Sequence, residues 1–388
     1  MKRYIYSLLF FALMAQVAVF ADSPTTDHSV GIDIRPSWVI PTNTYLKGEN
    51  GECDIKSAVA PHLRYSFKFA PNTRYGQLYR HAYQGVGISY LATLPGSSLG
   101  HPVNIYVFQG SRLAGLSQRL SLDYEWNFGV SAGWKKYDSD LNPNNGTIGS
   151  SVNAYLNLGL ILSYRLNDRW KLTAGVEGSH YSNGNTALPN AGVNTAGARI
   201  GVSYTFAPAR KTGELPLAPA GFEAGMGYDL LLYGAPRQRI ITLDDSPKIV
   251  PGKFAVFGLT FAPMYAFNPM FRAGVSLDMQ YDESVSLEQN LVENTPSDKM
   301  LFYKQSFKER FSAGLSFHAE LTMPIFSINI GLGRNIIADS PDTSIFYQTL
   351  ALKTYVFRNA YINVGYQLRN FKDPNNLMLG IGYTFGRR

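Results

Sequence analysis

The sequence predicts an all-β fold, an antiparallel transmembrane β-barrel of the outer-membrane type. Three observations predict it. The 388-residue chain is only 16% charged but 45% apolar, with 25 Tyr, 23 Phe and 36 Gly, whereas soluble domains carry about 25% charge. After residue 20 no apolar run reaches the roughly 18 residues of a membrane helix, and mean hydropathy is slightly negative. Apolar and polar residues instead alternate with period two over long stretches, as in a strand with one lipid face and one lumen face.

The same composition excludes other classes. An apolar content of 45% buries too much surface for a disordered chain. One cysteine, Cys53, rules out a disulfide scaffold and a cysteine-ligated metal site. The N-terminus reads as a signal peptide, residues 1–21. Lys2 and Arg3 precede an apolar run from Tyr4 to Phe20, and Val19-Phe20-Ala21 offers small residues for cleavage after Ala21. Removing Lys2 and Arg3 takes the net charge from +7 to +5. That is too mild for nucleic acid, and no nucleic-acid partner is expected. Export plus barrel strands places the chain in the bacterial outer membrane as a multi-pass barrel.

The strands follow in order. The first half offers eight, near 29–40, 60–69, 83–93, 102–110, 119–135, 151–165, 170–182 and 194–206. In the sixth, Ala154, Leu156, Leu158, Leu160 and Leu162 share one face. In the fifth, Phe128, Val130, Ala132 and Trp134 are expected to face lipid, with Gly129, Ser131 and Gly133 facing the lumen. Loops 41–59, 94–101, 136–150 and 183–193 are rich in Gly, Asn, Pro and Ser, while Leu166-Asn167-Asp168-Arg169 is a tight turn. Long outer loops and short inner turns are the barrel pattern. The second half repeats the scheme with strands near 221–235, 250–266, 270–282, 306–322, 325–336, 346–357, 360–371 and 377–386, and with 236–249 and 283–305 as long loops. Both halves end alike, in Ile200-Gly201-Val202-Ser203-Tyr204-Thr205-Phe206 and Leu379-Gly380-Ile381-Gly382-Tyr383-Thr384-Phe385, which suggests duplication. The expected domains are a barrel over 22–206, a Pro-containing linker over 207–220 and a second half over 221–388. Two tandem eight-stranded barrels are favoured; one sixteen-stranded barrel is the alternative.

Candidate chemistry sits on the seventh and eighth strands. Counting by twos from Trp170 through Leu172, Ala174 and Val176 puts His180 and Ser182 on the lipid face. Counting back from Phe206 puts Asn194 there too. Ten residues separate Trp170 from His180, about 33 Å of strand or about 23 Å of depth at a tilt near 45°. The trio therefore reaches the outer-leaflet interface, where unpaired polar groups are costly and need a reason. Side chains at i and i+2 lie within reach of one another. His180 is placed to take the Ser182 proton and Asn194 to orient the imidazole, since an amide fills that role in some triads. The bland alternative is an interfacial His and Ser closing a strand among headgroups.

The wider stretch, His180-Tyr181-Ser182-Asn183-Gly184 followed by Pro189-Asn190-Ala191-Gly192-Val193-Asn194, resembles the outer-membrane lipid A 3-O-deacylase (PagL-type) family over about residues 29–206. The resemblance implies a serine esterase acting on lipid A within lipopolysaccharide, with Ser182 as nucleophile and His180 as base. Asn183, Gly184 and Asn190 are then candidates for oxyanion stabilisation and loop shaping. The family's usual acid is Glu, and this chain has Asn194. His180, Ser182, Asn183, Gly184 and Asn194 also resemble outer-membrane phospholipase A, which uses calcium; no calcium-site signature is visible, and otherwise no cofactor is expected. A non-enzymatic pore or structural barrel is the third reading.

Other residues read as architecture. Glu177, Lys171 and Arg199 fall on the lumen face as an ion network. His28, His62, His81, His101 and His318 lack metal-ligand spacing. The pairs Gly85/Gly87, Gly331/Gly333 and Gly380/Gly382 read as lumen glycines. The second half has no His-x-Ser; its penultimate strand reads Leu368-Arg369-Asn370-Phe371-Lys372, and it is expected to be non-catalytic.

Overall fold

The computed structural model describes residues 26–48, 55–94, 96, 98–207, 221–243, 245–292, 300–371 and 373–387. The expected signal peptide, Cys53 and the linker beyond Ala207 lie outside them. The chain divides into two compact units. One is the first half without Gly184–Leu188; the other is the second half with those five residues. Each unit contains a closed eight-stranded antiparallel barrel.

The first barrel uses β1 (Thr26–Ile40), β2 (Ser57–Phe69), β3 (Tyr83–Tyr90), β4 (Ala92–Leu94), β5 (Gly100–Gly115), β6 (Leu120–Trp134), β7 (Val152–Arg165), β8 (Trp170–Ser182) and β9 (Val193–Ala207). The order is β1-β9-β8-β7-β6-β5-β3-β2, closed by pairing of β1 with β2, while the short β4 lies beside β2. All eight expected strands are present, the third split into β3 and β4. The alternation holds. In β7, Asn153, Tyr155, Asn157, Ile161 and Ser163 are buried, and Leu158, Leu160 and Leu162 are exposed outward. Segment 70–82, long for a turn, winds into a short helix, Arg74–Leu78, capped by Thr73 Oγ1 accepting from Gly76 N–H at 3.0 Å.

Mid-lumen, Asp33 accepts from Arg35 at 2.9 Å, Arg64 at 3.0 Å and Arg199 at 2.7 Å. Glu125 accepts from Arg199 at 2.8 Å, from Arg64 and from Tyr83 Oη at 3.0 Å. Arg35 also reaches Glu177 at 3.1 Å. Three guanidiniums thus face three carboxylates, the balance that buried charge requires. Towards the long loops the lumen turns aromatic, with Tyr106, Phe108, Trp134, Tyr155 and Tyr181 packed against Tyr45, Leu46 and Ile148. The lumen glycines make room for such rings. A Cβ on Gly87 would sit 2.4 Å from the Tyr106 ring, and one on Gly333 would sit 2.4 Å from the Tyr347 ring.

One facing differs from expectation. Trp134 is not on the lipid face. It is 3% exposed and packs on Tyr181 at 5.0 Å between ring centroids, with its Nε1–H donating to Ser131 Oγ at 2.8 Å. Gly133 is the cause. Its φ of +103° and the adjoining register shift break the period-two count and turn the indole inward.

The second barrel closes β10 (Gly225–Arg237), β13 (Phe254–Asn268), β14 (Phe271–Asp282), β15 (Phe311–Thr322), β16 (Phe326–Ala338), β17 (Phe346–Tyr355), β18 (Ala360–Arg369) and β19 (Asp373–Gly386), with β19 paired to β10. These are the eight strands expected. The loop read over 236–249 holds an unexpected hairpin, β11 (Ile240–Leu243) with β12 (Ser246–Ile249). Its lumen has its own charge balance: Arg272 meets Asp229 at 3.0 Å and Glu320 at 3.1 Å, and Lys353 bridges the same two acids.

Candidate active site

β8 and β9 pair in register, with His180 directly opposite Asn194. Tyr181, between His180 and Ser182, is 2% exposed inside the barrel. His180 and Ser182 therefore point to the outer wall, as the count from Trp170 requires. All three candidate side chains are half-buried. Asn194 Oδ1 lies 2.7 Å from His180 Nδ1. An amide oxygen only accepts. With the amide in this orientation the ring donates from Nδ1, and in the neutral ring the lone pair is then on Nε2. Among the described residues, Nε2 and Ser182 Oγ make no hydrogen bond to each other or to any other group. Such contacts commonly tighten only when substrate is bound.

The loop over the trio is built by backbone. Asn190 Oδ1 accepts from Asn183 N–H at 3.0 Å. Asn183 is thus buried, with its N–H engaged in holding the loop. Gly184 is left-handed at φ +65° and its N–H has no acceptor among the described residues. Sequence reading named these residues; it missed Gly192. A Cβ there would stand 3.0 Å from His180 Cε1 and 2.9 Å from Tyr181 O, at φ +74°. Gly192 N–H donates to Thr147 O at 3.1 Å, and Thr147 Oγ1 accepts from Asn43 Nδ2 at 3.0 Å. Thr147, itself held by Asn43, thereby keeps the Gly192 backbone against the imidazole. A left-handed φ with close approach was the readable signal in an Asn-Ala-Gly run, but nothing local indicates which ring it covers.

Below the trio, Gly178 and Ala196 pair across the two strands and are exposed. A Cβ on Gly178 would have only one neighbour, at 3.7 Å, so the outer wall is shallow there. Glu177 and Arg199 lie in the lumen network, and Lys171 lies over the Tyr83 ring at 5.1 Å. Among the described residues no three His, Cys, Asp or Glu side chains gather as metal ligands.

The second barrel contains a further Ser-His-Asn chain that a search for His-x-Ser passes over, because the order is reversed. His318 Nε2 lies 2.8 Å from Ser316 Oγ and its Nδ1 lies 2.6 Å from Asn329 Oδ1. Ser316 also donates to Asp278 at 2.6 Å. Ser316, His318 and Asn329 are 4–7% exposed and line the lumen network rather than the wall.

Residues 59–203 match the family model described as lipid A 3-O-deacylase (PagL), and residues 226–387 match the model described as acyloxyacyl hydrolase, C-terminal domain (PagL_C). The chain belongs to the lipid A 3-O-deacylase family. No curated protein sequence matches it. Among solved structures, Neisserial surface protein A is 11% identical, with 47% of this chain and 98% of that chain covered and a TM-score of 0.31. The outer-membrane enzyme PagL is 20% identical, with 45% and 97% covered and a TM-score of 0.28. An outer-membrane channel from Pseudomonas putida is 10% identical, with 92% and 95% covered and a TM-score of 0.23. As a lipid A 3-O-deacylase family member with barrel architecture, the protein is an outer-membrane β-barrel.

Proposed function

We propose that the protein hydrolyses the 3-O-linked fatty acyl ester of lipid A, with Ser182 as nucleophile, His180 as general base and Asn194 as the group orienting His180. The observation that carries this reading is the 2.7 Å contact between His180 Nδ1 and Asn194 Oδ1 on the outer wall. It supports this reading because a ring donating from Nδ1 to Asn194 would hold the tautomer that a serine hydrolase needs. Ser182 Oγ attacks the ester carbonyl as its proton passes to His180 Nε2. His180 then gives that proton to the leaving sugar hydroxyl. Water, deprotonated by the same nitrogen, attacks the acyl-Ser182 ester, releases the fatty acid and restores the serine. The family resemblance makes Gly184 the candidate oxyanion residue, a role worth about 3–4 kcal/mol in a comparable enzyme. Substrate diffuses laterally in the outer leaflet, and the shallow wall at Gly178 and Ala196 accommodates the acyl chain, so a deep pocket is unnecessary. The second barrel is read as non-catalytic.

Ser182→Ala is expected to reduce deacylation by roughly 10³-fold or more, the scale of losing a triad member, without unfolding a barrel in which Ser182 ends a strand. Mass spectrometry of lipid A checks it; unchanged deacylation refutes the assignment. The amide at Asn194 favours one second reading, phospholipase A. Loss of activity on calcium chelation, with phospholipid rather than lipid A cleaved, would select it.

A further inference from the structure

We propose that the short-turn mouth of the first barrel is a binding site for a phosphate-bearing anion, separate from the trio on the wall. A cavity of about 270 Å³ fills this end of the lumen and reaches the turns at Ser117–Arg119 and Asn167–Arg169. Its floor is the Asp33, Glu125, Arg64 and Arg199 network, where the charges answer one another. The wall above is different. Lys68, Arg112, Arg119, Arg165, Arg169 and Lys171 line it against Asp27, Asp123 and Asp168, an excess of three positive charges.

None of those six cations forms an ion pair among the described residues. Arg165 donates to Gln118 O at 2.8 Å, Arg169 to Tyr204 Oη at 3.0 Å, and Lys171 lies over Tyr83 at 5.1 Å. Lys68 and Arg112 point into the cavity with no carboxylate in contact. Lys68 and Lys171 are half-buried and the four arginines are exposed around the mouth, and a cleft lined by one sign of charge concentrates the field and draws counter-ions. Ser163 adds a second, independent sign: the residue is 5% exposed and lines the cavity, and its hydroxyl is buried with no partner among the described residues. A buried hydroxyl is normally satisfied, and here an anion oxygen supplies the acceptor. His81, beside the mouth, is held below the ordinary imidazole value by partial burial and then by Arg112 and Lys68, with Asp123 opposing, so the positive field is felt within the cavity. At about 30 Å³ per water the space holds roughly nine waters, enough for a pyrophosphate-sized group. Guanidinium and ammonium groups converging with a hydroxyl suit phosphate oxygens. The ligand is either a soluble phosphate compound or the headgroup of an anionic phospholipid at the rim.

Calorimetric titration of inorganic pyrophosphate into the full chain in zwitterionic detergent tests the site. The expected result is saturable one-site binding that weakens at least tenfold in the Arg112→Gln/Lys171→Gln double variant and falls with added salt. Arg112 is exposed, so the Arg112→Gln single variant keeps the fold and should still weaken binding severalfold. Heat-modifiable gel mobility verifies that both variants are folded. Absence of saturable binding, or equal binding by the folded variants, overturns the proposal. Repeating the titration in nanodiscs identifies the source. Weaker apparent pyrophosphate affinity in phosphatidylglycerol than in phosphatidylcholine discs assigns the site to a lipid headgroup, and equal affinity assigns it to a soluble phosphate.

Discussion

The His180 ring is fixed from two sides, by Asn194 Oδ1 at Nδ1 and by the Gly192 backbone near Cε1. Asn194→Ala removes one hydrogen bond, about 1–2 kcal/mol or roughly tenfold in rate, with the fold unchanged. Asn194→Glu should preserve or raise activity, because a carboxylate also accepts from Nδ1 and offsets the charge that develops on the ring. Steady-state kinetics on lipid A separates the two. Gly192→Ala should lower kcat more than it affects stability. Its Cβ meets His180 Cε1 at 3.0 Å on a backbone of positive φ, so the ring must shift away from Ser182. Of these residues, His180, Ser182 and Asn194 were legible because parity along a strand is a property of sequence. Gly192 was not, since its meaning depends on loops more than forty residues away in sequence, held through Thr147 and Asn43.

At the scale of strands and loops, period-two counting succeeds wherever the ladder is regular and fails at one kink. Gly133 carries that kink, and Trp134 is consequently part of the lumen plug. The short hairpin β11–β12 was missed for another reason: four-residue strands carry too few alternations, and Pro247 reads as loop. Asp33 ties β1, β2 and β9 together through three guanidiniums. Asp33→Asn leaves buried cations short of a partner and should destabilise the barrel by about 3–5 kcal/mol, read as a lower urea midpoint for loss of the compact gel form. In the second barrel, Asp342 lies on the long-loop side and accepts from Arg239 at 3.1 Å and from Ser286 N–H at 3.0 Å. Burial alone raises its pKa, but Arg239, the Ser286 N–H and Arg369 outweigh burial and hold it below 3.8. Its contribution is therefore complete above 3.8 and is lost as pH falls through the lower folded value. Protection of the loop amides, corrected for intrinsic exchange, should fall as pH drops from about 4 to 2 in the native protein and be already low in Asp342→Asn.

For the molecule as a whole, sixteen strands were readable from the alternation and the repeated aromatic-ended strand, and the hydrogen-bond ladders resolve them into two closed barrels rather than one. Closure itself was not readable, because the pairing of β1 with β9, and of β10 with β19, joins strands remote in sequence. Lumen charges were legible as a class, from inward-facing positions, but not their partners. The Ser316-His318-Asn329 chain has the same residue types as the wall trio and the opposite facing, which shows that composition alone does not locate a lipid-active site. The most direct test of the catalytic assignment is mass spectrometry of lipid A from cells expressing the native chain, Ser182→Ala or no copy. Loss of one 3-O-linked hydroxyacyl chain is expected with the native protein alone, at equal amounts of folded barrel. Identical lipid A in all three, or the same deacylation by Ser182→Ala, would contradict it.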